Sequence, residues 1–105
     1  SYRDWGHSKD YVRAMHAIVN HETPEEWIVS TGVTHSVRDL CEYVFNKLGL
    51  SYRDYVIQNP KFMRPEELKY LKGDSSKIRK ILGWKPEYTF ETMLDEMIDR
   101  WEKEL

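Results

Sequence analysis

Two apolar stripes at helical spacing constrain this chain more than any other feature. After Ser36, apolar side chains fall at Val37, Leu40, Cys41, Val44, Phe45 and Leu48. This is the i, i+3, i+4, i+7, i+8, i+11 series that lines one face of a helix. A second series, Phe90, Met93, Leu94, Met97, Ile98, Trp101 and Leu105, follows Thr89, with Glu91, Asp95, Glu96 and Lys103 mostly off that face. Both helices therefore need a partner surface. Ser36, with Asp39 at the third helical position, predicts a capped start for the first of them, and Gly49 supplies a left-handed stop. Thr89 is positioned to cap the second.

The rest of the chain reads as shorter pieces. A helix is predicted from about Ser8 to Asn20, placing Val12, Met15, Ile18 and Val19 together. A short helix is expected from Ser75 to Leu82, started by Asp74 and ended by Gly83. Extended segments are expected at Trp27 to Ser30, at Tyr52 to Ile57, and more weakly at Glu67 to Leu71. Pro24, Gly32, Asn59-Pro60, Arg64-Pro65, Gly73-Asp74 and Lys85-Pro86 punctuate these elements. The expected fold class is α/β of an α+β-like kind, with about four helices and three or four short strands. No internal repeat or low-complexity linker divides the 105 residues, so residues 1–105 read as a single small domain.

Composition narrows the function classes. Sixteen Lys+Arg against 18 Asp+Glu give a net charge of −2. That lacks the basic excess by which a general nucleic-acid or anionic-membrane binder captures phosphates. No stretch approaches the roughly 18 apolar residues needed to span a bilayer, and the start of the chain lacks a signal-peptide pattern. The single Cys41 cannot form an internal disulfide, which fits a reducing compartment and a cytoplasmic location. The chain opens at Ser1 rather than Met and enters structured-looking sequence at once, so it is expected to be a piece of something longer.

Several residues invite a chemical role. His7, His16, His21 and His35 are spread over separate elements, and the five-residue gap between His16 and His21 is not the i, i+4 spacing of a helical ligand pair. No metal is expected. Tyr43 and Lys47 reproduce the Tyr-x-x-x-Lys pair of short-chain dehydrogenases, with Ser30 upstream, yet the chain has no Gly-x-x-Gly-x-x-Gly or Gly-x-Gly-x-x-Gly turn to hold a nicotinamide. That pair reads as helix surface covering core with its stems. Cys41 lies within the apolar stripe, where burial disfavours a thiolate, and reads as a core residue. Lys61-Phe62-Met63-Arg64-Pro65-Glu66-Glu67 joins an arginine fork, a rigid proline and a carboxylate, which together suit a nucleotide. A surface salt bridge accounts for the same residues.

Taken together, Arg3-Asp4-Trp5-Gly6-His7-Ser8-Lys9-Asp10-Tyr11-Val12, Val29-Ser30-Thr31-Gly32, His35-Ser36-Val37-Arg38, Arg64-Pro65-Glu66-Glu67, Gly73-Asp74-Ser75-Ser76-Lys77 and Leu82-Gly83-Trp84-Lys85-Pro86 form an ordered set. In that order and spacing they resemble the C-terminal part of the GDP-mannose 4,6-dehydratase family, within the extended short-chain dehydrogenases/reductases.

The resemblance implies the C-terminal part of an extended Rossmann-type sugar-nucleotide dehydratase, a lyase that uses NADP. Residues 1–34 would correspond to the edge of its nucleotide-binding fold and residues 35–105 to its substrate-binding lobe. It implies that Arg3, Arg64 and Glu67 hold the GDP part of GDP-mannose, the arginines on the diphosphate and Glu67 on the nucleoside. The cofactor glycines and catalytic residues of that family have no counterpart here, so no cofactor and no catalysis are expected of this chain alone. Homo-oligomerisation is expected, as a dimer, with exchange of elements one route to it. Two other readings stay open: a stand-alone oligomerising or protein-interaction module, and a noncatalytic sugar-nucleotide binder.

Overall fold

The computed structural model describes residues 1–57, 59, 61 and 70–104. Among the described residues the order is β1 (Tyr2–Arg3), α1 (Ser8–Val19), β2 (His35–Ser36), α2 (Val37–Lys47), a single 3-10 turn at Tyr52–Asp54, β3 (Tyr70–Leu71), α3 (Ser76–Leu82) and α4 (Phe90–Glu104). The fold is thus helix-rich with one small sheet. Its strand order is β2-β1-β3, with β1 antiparallel to β2 and parallel to β3.

The helix ends follow local chemistry. Ser36 Oγ accepts from the Asp39 N–H at 3.0 Å, and the Asp39 carboxylate accepts from the Ser36 N–H at 2.9 Å, a complete capping box for α2. Gly49 ends that segment at φ +75°, a conformation open to glycine at little cost. At α4, Thr89 Oγ1 accepts from the Thr92 N–H and Thr92 Oγ1 accepts from the Thr89 N–H, so two threonines cap reciprocally. Helix α1 is capped by an imidazole: His7 Nδ1 accepts from the Lys9 N–H at 3.0 Å.

Two expected strands are corrected. Trp27 to Ser30 joins no ladder among the described residues, and side chains bond the backbone at its two ends. The Glu26 carbonyl just before it accepts from Lys77 Nζ, and the Ser30 carbonyl accepts from Ser75 Oγ. Tyr52 to Ile57 opens with the 3-10 turn, in which the N–H groups of Asp54, Tyr55 and Val56 bond back to Ser51 and Tyr52. Local bonds there satisfy the backbone before a partner strand can. Of the weak segment from Glu67, only Tyr70–Leu71 falls among the described residues, and it is β3.

The core has two parts. Ala14, Ile78 and Trp84 are buried together, with Ile18, Trp27, Val29 and Leu82 against them. Phe90, Met93 and Leu94 form the second, with Trp5, Leu40, Tyr43, Val44 and Tyr88 around them. Asp10 ties one to the other: its carbonyl accepts from the Trp84 indole N–H, and its carboxylate accepts from the backbone N–H groups of Glu87 and Tyr88.

That bonding sets how α1 is rotated. Asp10 and Ala14 face inward, while Val12, Met15 and Val19 of the expected stripe are 61, 62 and 81% exposed. Ala14 allows the close approach to Ile78 and Trp84 that a larger side chain would block. Cys41 is likewise not a core residue. It is half-buried and lines an apolar groove between α2 and α4, with Leu40, Val44, Leu94, Met97 and Trp101. No helix among the described residues is long and apolar enough to cross a membrane.

Candidate functional site

Of the three residues expected to hold a nucleotide, Arg3 is described, whereas Arg64 and Glu67 lie outside the described residues. Arg3 sits on β1, the central strand, and its Nη1 donates to the Tyr2 carbonyl at 2.8 Å. The parallel register pairs Arg3 with Leu71 and Tyr2 with Tyr70. In sequence Tyr70 follows Glu67 by three residues, so the strand entered just after Arg64-Pro65-Glu66-Glu67 is the one laid beside Arg3.

Arg3 lines a cavity of about 460 Å³ together with Asp4, Tyr11, Ser30, Leu71, Lys72 and others. The neighbouring Asp4 is fully engaged: its carboxylate accepts from the Thr31 N–H, the Thr31 hydroxyl and the Gly32 N–H. Those bonds pin the Thr31-Gly32 turn, where Gly32 has φ +82°. Burial, then the nearby Asp4 and Asp10 carboxylates, push the Tyr11 phenol up, so it remains a neutral donor. A second cavity of about 570 Å³ adjoins the first, sharing Lys72 and Gly73 and adding Thr31, Gly32, Asp74, Ser75, Ser76 and Arg79. Arg79 is held in its wall by bonds to Ser75 Oγ and the Thr31 carbonyl. Gly73 is required where the cavities meet, because a Cβ there would fall 2.6 Å from Ser30 Cβ.

The dehydrogenase-like pair has different work. The Tyr43 hydroxyl donates to Asp95 at 2.7 Å, and Lys47 Nζ lies 3.4 Å from the same carboxylate. The bond to Asp95, with desolvation, pushes Tyr43 up to about 12, opposite to what proton transfer at neutral pH requires. Ser30 lines the Arg3 cavity, whereas Tyr43 packs against the Phe90 cluster.

The histidines are spent on packing and caps. His7 stacks on Tyr88 and reaches Glu96 at 3.1 Å, His21 pairs with Glu25, His35 stacks on Phe90, and His16 contacts Asn20. No group of three metal-ligating side chains occurs among the described residues. Gly6, between β1 and α1, has its open face filled by the Tyr11 ring and hydroxyl, so this β1–α1 connection does not offer the open glycine turn that a pyrophosphate needs.

Sequence patterns gave no signal for Lys72 or Arg79, because surface cations carry no local periodicity. The Asp10 hub was equally silent, since its partners lie 74 to 78 residues away.

The comparisons with known proteins converge. The family described as GDP-mannose 4,6 dehydratase matches residues 1–97. The chain is 40% identical over 97 residues to GDP-mannose 4,6 dehydratase 2 of Arabidopsis thaliana, covering 92% of this chain and 26% of that protein. It is 35% identical over 115 residues to GDP-mannose 4,6 dehydratase of Drosophila melanogaster, covering 93% and 29%. To GDP-mannose 4,6 dehydratase of Homo sapiens it is 34% identical over 113 residues, covering 91% and 30%. The chain therefore spans between a quarter and a third of the length of these relatives.

Proposed function

This chain belongs to the GDP-mannose 4,6-dehydratase family, and we propose that its part there is to bind the GDP end of GDP-mannose through Arg3, Arg64 and Glu67. The observation that carries the reading is the parallel pairing of β1 with β3, which lays Arg3 beside a strand that follows Arg64-Pro65-Glu66-Glu67 after two intervening residues in sequence, and against an open cavity. Two guanidinium forks neutralise a diphosphate with directed, charge-assisted bonds, and a carboxylate accepts from the donor edge of guanine or from ribose hydroxyls. Binding energy at the nucleotide end holds the hexose for chemistry that these 105 residues do not themselves supply. We read residues 1–34 as the edge of a Rossmann-type nucleotide-binding fold and residues 35–105 as the substrate lobe. The NADP chemistry implied by the resemblance is read as belonging to the rest of the family's length, and no hydride step is assigned to the described residues.

A calorimetric titration of the chain with GDP-mannose, with UDP-glucose and NADP as controls, tests this. Binding of GDP-mannose alone, weakened by Arg64→Ala by about 1.5–3 kcal/mol but not by Arg38→Ala, is the expected result. Equal losses in both variants mean nonspecific charge attraction and overturn it.

A second reading, self-association, is favoured by the exposed apolar side chains Val12, Met15 and Val19 on α1 and Met97 and Trp101 on α4. It predicts a dimer in solution, and a mass that stays monomeric across concentration rejects it. The lone thiol fits a reducing, cytoplasmic setting.

A further inference from the structure

The geometry points to Lys72 as a further substrate-binding residue, a cation that contacts the diphosphate where the two cavities meet; this rests on the nucleotide-binding reading above.

Lys72 and Gly73 line both the Arg3 cavity and the Thr31–Arg79 cavity. Leu71, the last residue of β3, pairs with Arg3, and Lys72 follows it directly as the chain leaves the strand. The other charges in these walls are committed. Asp4 accepts three hydrogen bonds from the Thr31-Gly32 turn. Asp74 accepts from the Ser76 N–H at 3.0 Å, and that bond, more than Lys72, holds its carboxylate below the usual range. Arg79 is bonded to Ser75 and Thr31, and the nearby Lys77 is paired with Glu25 and the Glu26 carbonyl. Lys72 makes no hydrogen bond or ion pair with another described residue.

The junction therefore presents an ammonium beside an arginine, its one neighbouring carboxylate, Asp74, bonded to the Ser76 N–H, in a cleft of two lobes of about 460 and 570 Å³. A sugar nucleotide has the matching form: two uncharged ends joined by a diphosphate that carries all of its charge. A lysine is a compact point charge on a flexible stem, suited to non-bridging phosphate oxygens whose position shifts as either end settles. Arginine forks fix direction, and Lys72 adds charge between the lobes.

The test measures GDP and guanosine affinities of the chain and of Lys72→Gln, Lys72→Arg, Lys80→Gln and Arg64→Ala, with circular dichroism to verify folding. Lys72→Gln is expected to weaken GDP binding roughly 5–10-fold and leave guanosine within about twofold, as loss of one charge-assisted contact requires. Lys72→Arg and Lys80→Gln are expected to keep GDP affinity within about threefold. If Lys72→Gln holds GDP as tightly as the parent chain while Arg64→Ala loses it, the inference about Lys72 fails and the site reading stands. Equal loss of GDP and guanosine in Lys72→Gln means that Lys72 acts through the fold, and also overturns the inference. Absence of GDP binding by the parent chain at millimolar ligand overturns both.

Discussion

Asp10→Ala is expected to be among the most damaging single changes in this chain. Asp10 is 1% exposed, and its carboxylate accepts from Arg13 Nη2 at 3.0 Å, the Glu87 N–H at 2.9 Å and the Tyr88 N–H at 3.2 Å. Truncation leaves two backbone donors without their acceptor, each costing about 1–3 kcal/mol where water cannot replace it. The Arg13 contribution is smaller: its side chain is 41% exposed and also bonds the Lys85 carbonyl, so solvent screening leaves about 0.5 kcal/mol. The loss sums to about 2.5–6.5 kcal/mol. With a urea slope of about 1–1.5 kcal/mol/M for a chain of this size, the unfolding midpoint should fall by at least roughly 2 M. Asp10→Asn, which keeps one acceptor oxygen but turns an amide toward a donor, should lose about 2–3 kcal/mol, and Arg13→Ala under about 1. pH supplies a separate check. Burial pushes the Asp10 carboxyl up, but bonds from the Glu87 N–H, Arg13 and the Tyr88 N–H outweigh it and hold the group below its ordinary 3.8. A depressed carboxylate stabilises the fold above 3.8 and loses that contribution as pH falls through its folded value, so the parent and Asp10→Asn should converge in strong acid. An Asp10→Ala variant within about 1 kcal/mol of the parent, or a gap to Asp10→Asn that does not change with pH, refutes the reasoning.

Other measurements follow from single contacts. Glu96 is held down to about 2, first by hydrogen bonding from Tyr88, then by His7 and Lys9. Its carboxylate resonance should titrate near 2 rather than 4.5, and its share of stability, present above the unfolded value, should disappear as pH falls toward 2; a midpoint near 4.5 contradicts the cluster. Gly73→Ala should lower the melting temperature by overpacking Ser30, at a cost of about 1–3 kcal/mol, and Ser30→Gly in the same chain should restore most of it. Equal melting of the parent and Gly73→Ala would mean that the strand end gives way freely.

The four helices were legible because their determinants are local. The Ser36–Asp39 box, the Thr89 cap and the left-handed glycines Gly49 and Gly83 act within one turn, and the apolar spacing repeats within each helix. The sheet was not legible in the same way. Its described strands are two residues long and pair across gaps that no pattern measures, while Trp27 to Ser30, rich in β-formers, joins no described ladder and has its Ser30 carbonyl bonded by the Ser75 side chain instead. Arg3 was marked for nucleotide binding by the resemblance carried in Arg3-Asp4-Trp5-Gly6-His7, and Arg64-Pro65-Glu66-Glu67, which lies outside the described residues, read as nucleotide-suited from its residue types.

What the sequence determined alone is therefore the set of helices, their ends and the family. Tertiary structure decided which face of α1 is buried, since the choice between Val12, Met15 and Val19 on one side and Asp10 with Ala14 on the other rests on acceptors needed 77 and 78 residues away. It also decided that Arg3 and Lys72 share a cavity wall, because strand pairing, unlike helical periodicity, is a contact between segments distant along the chain and leaves no repeating local pattern in either of them.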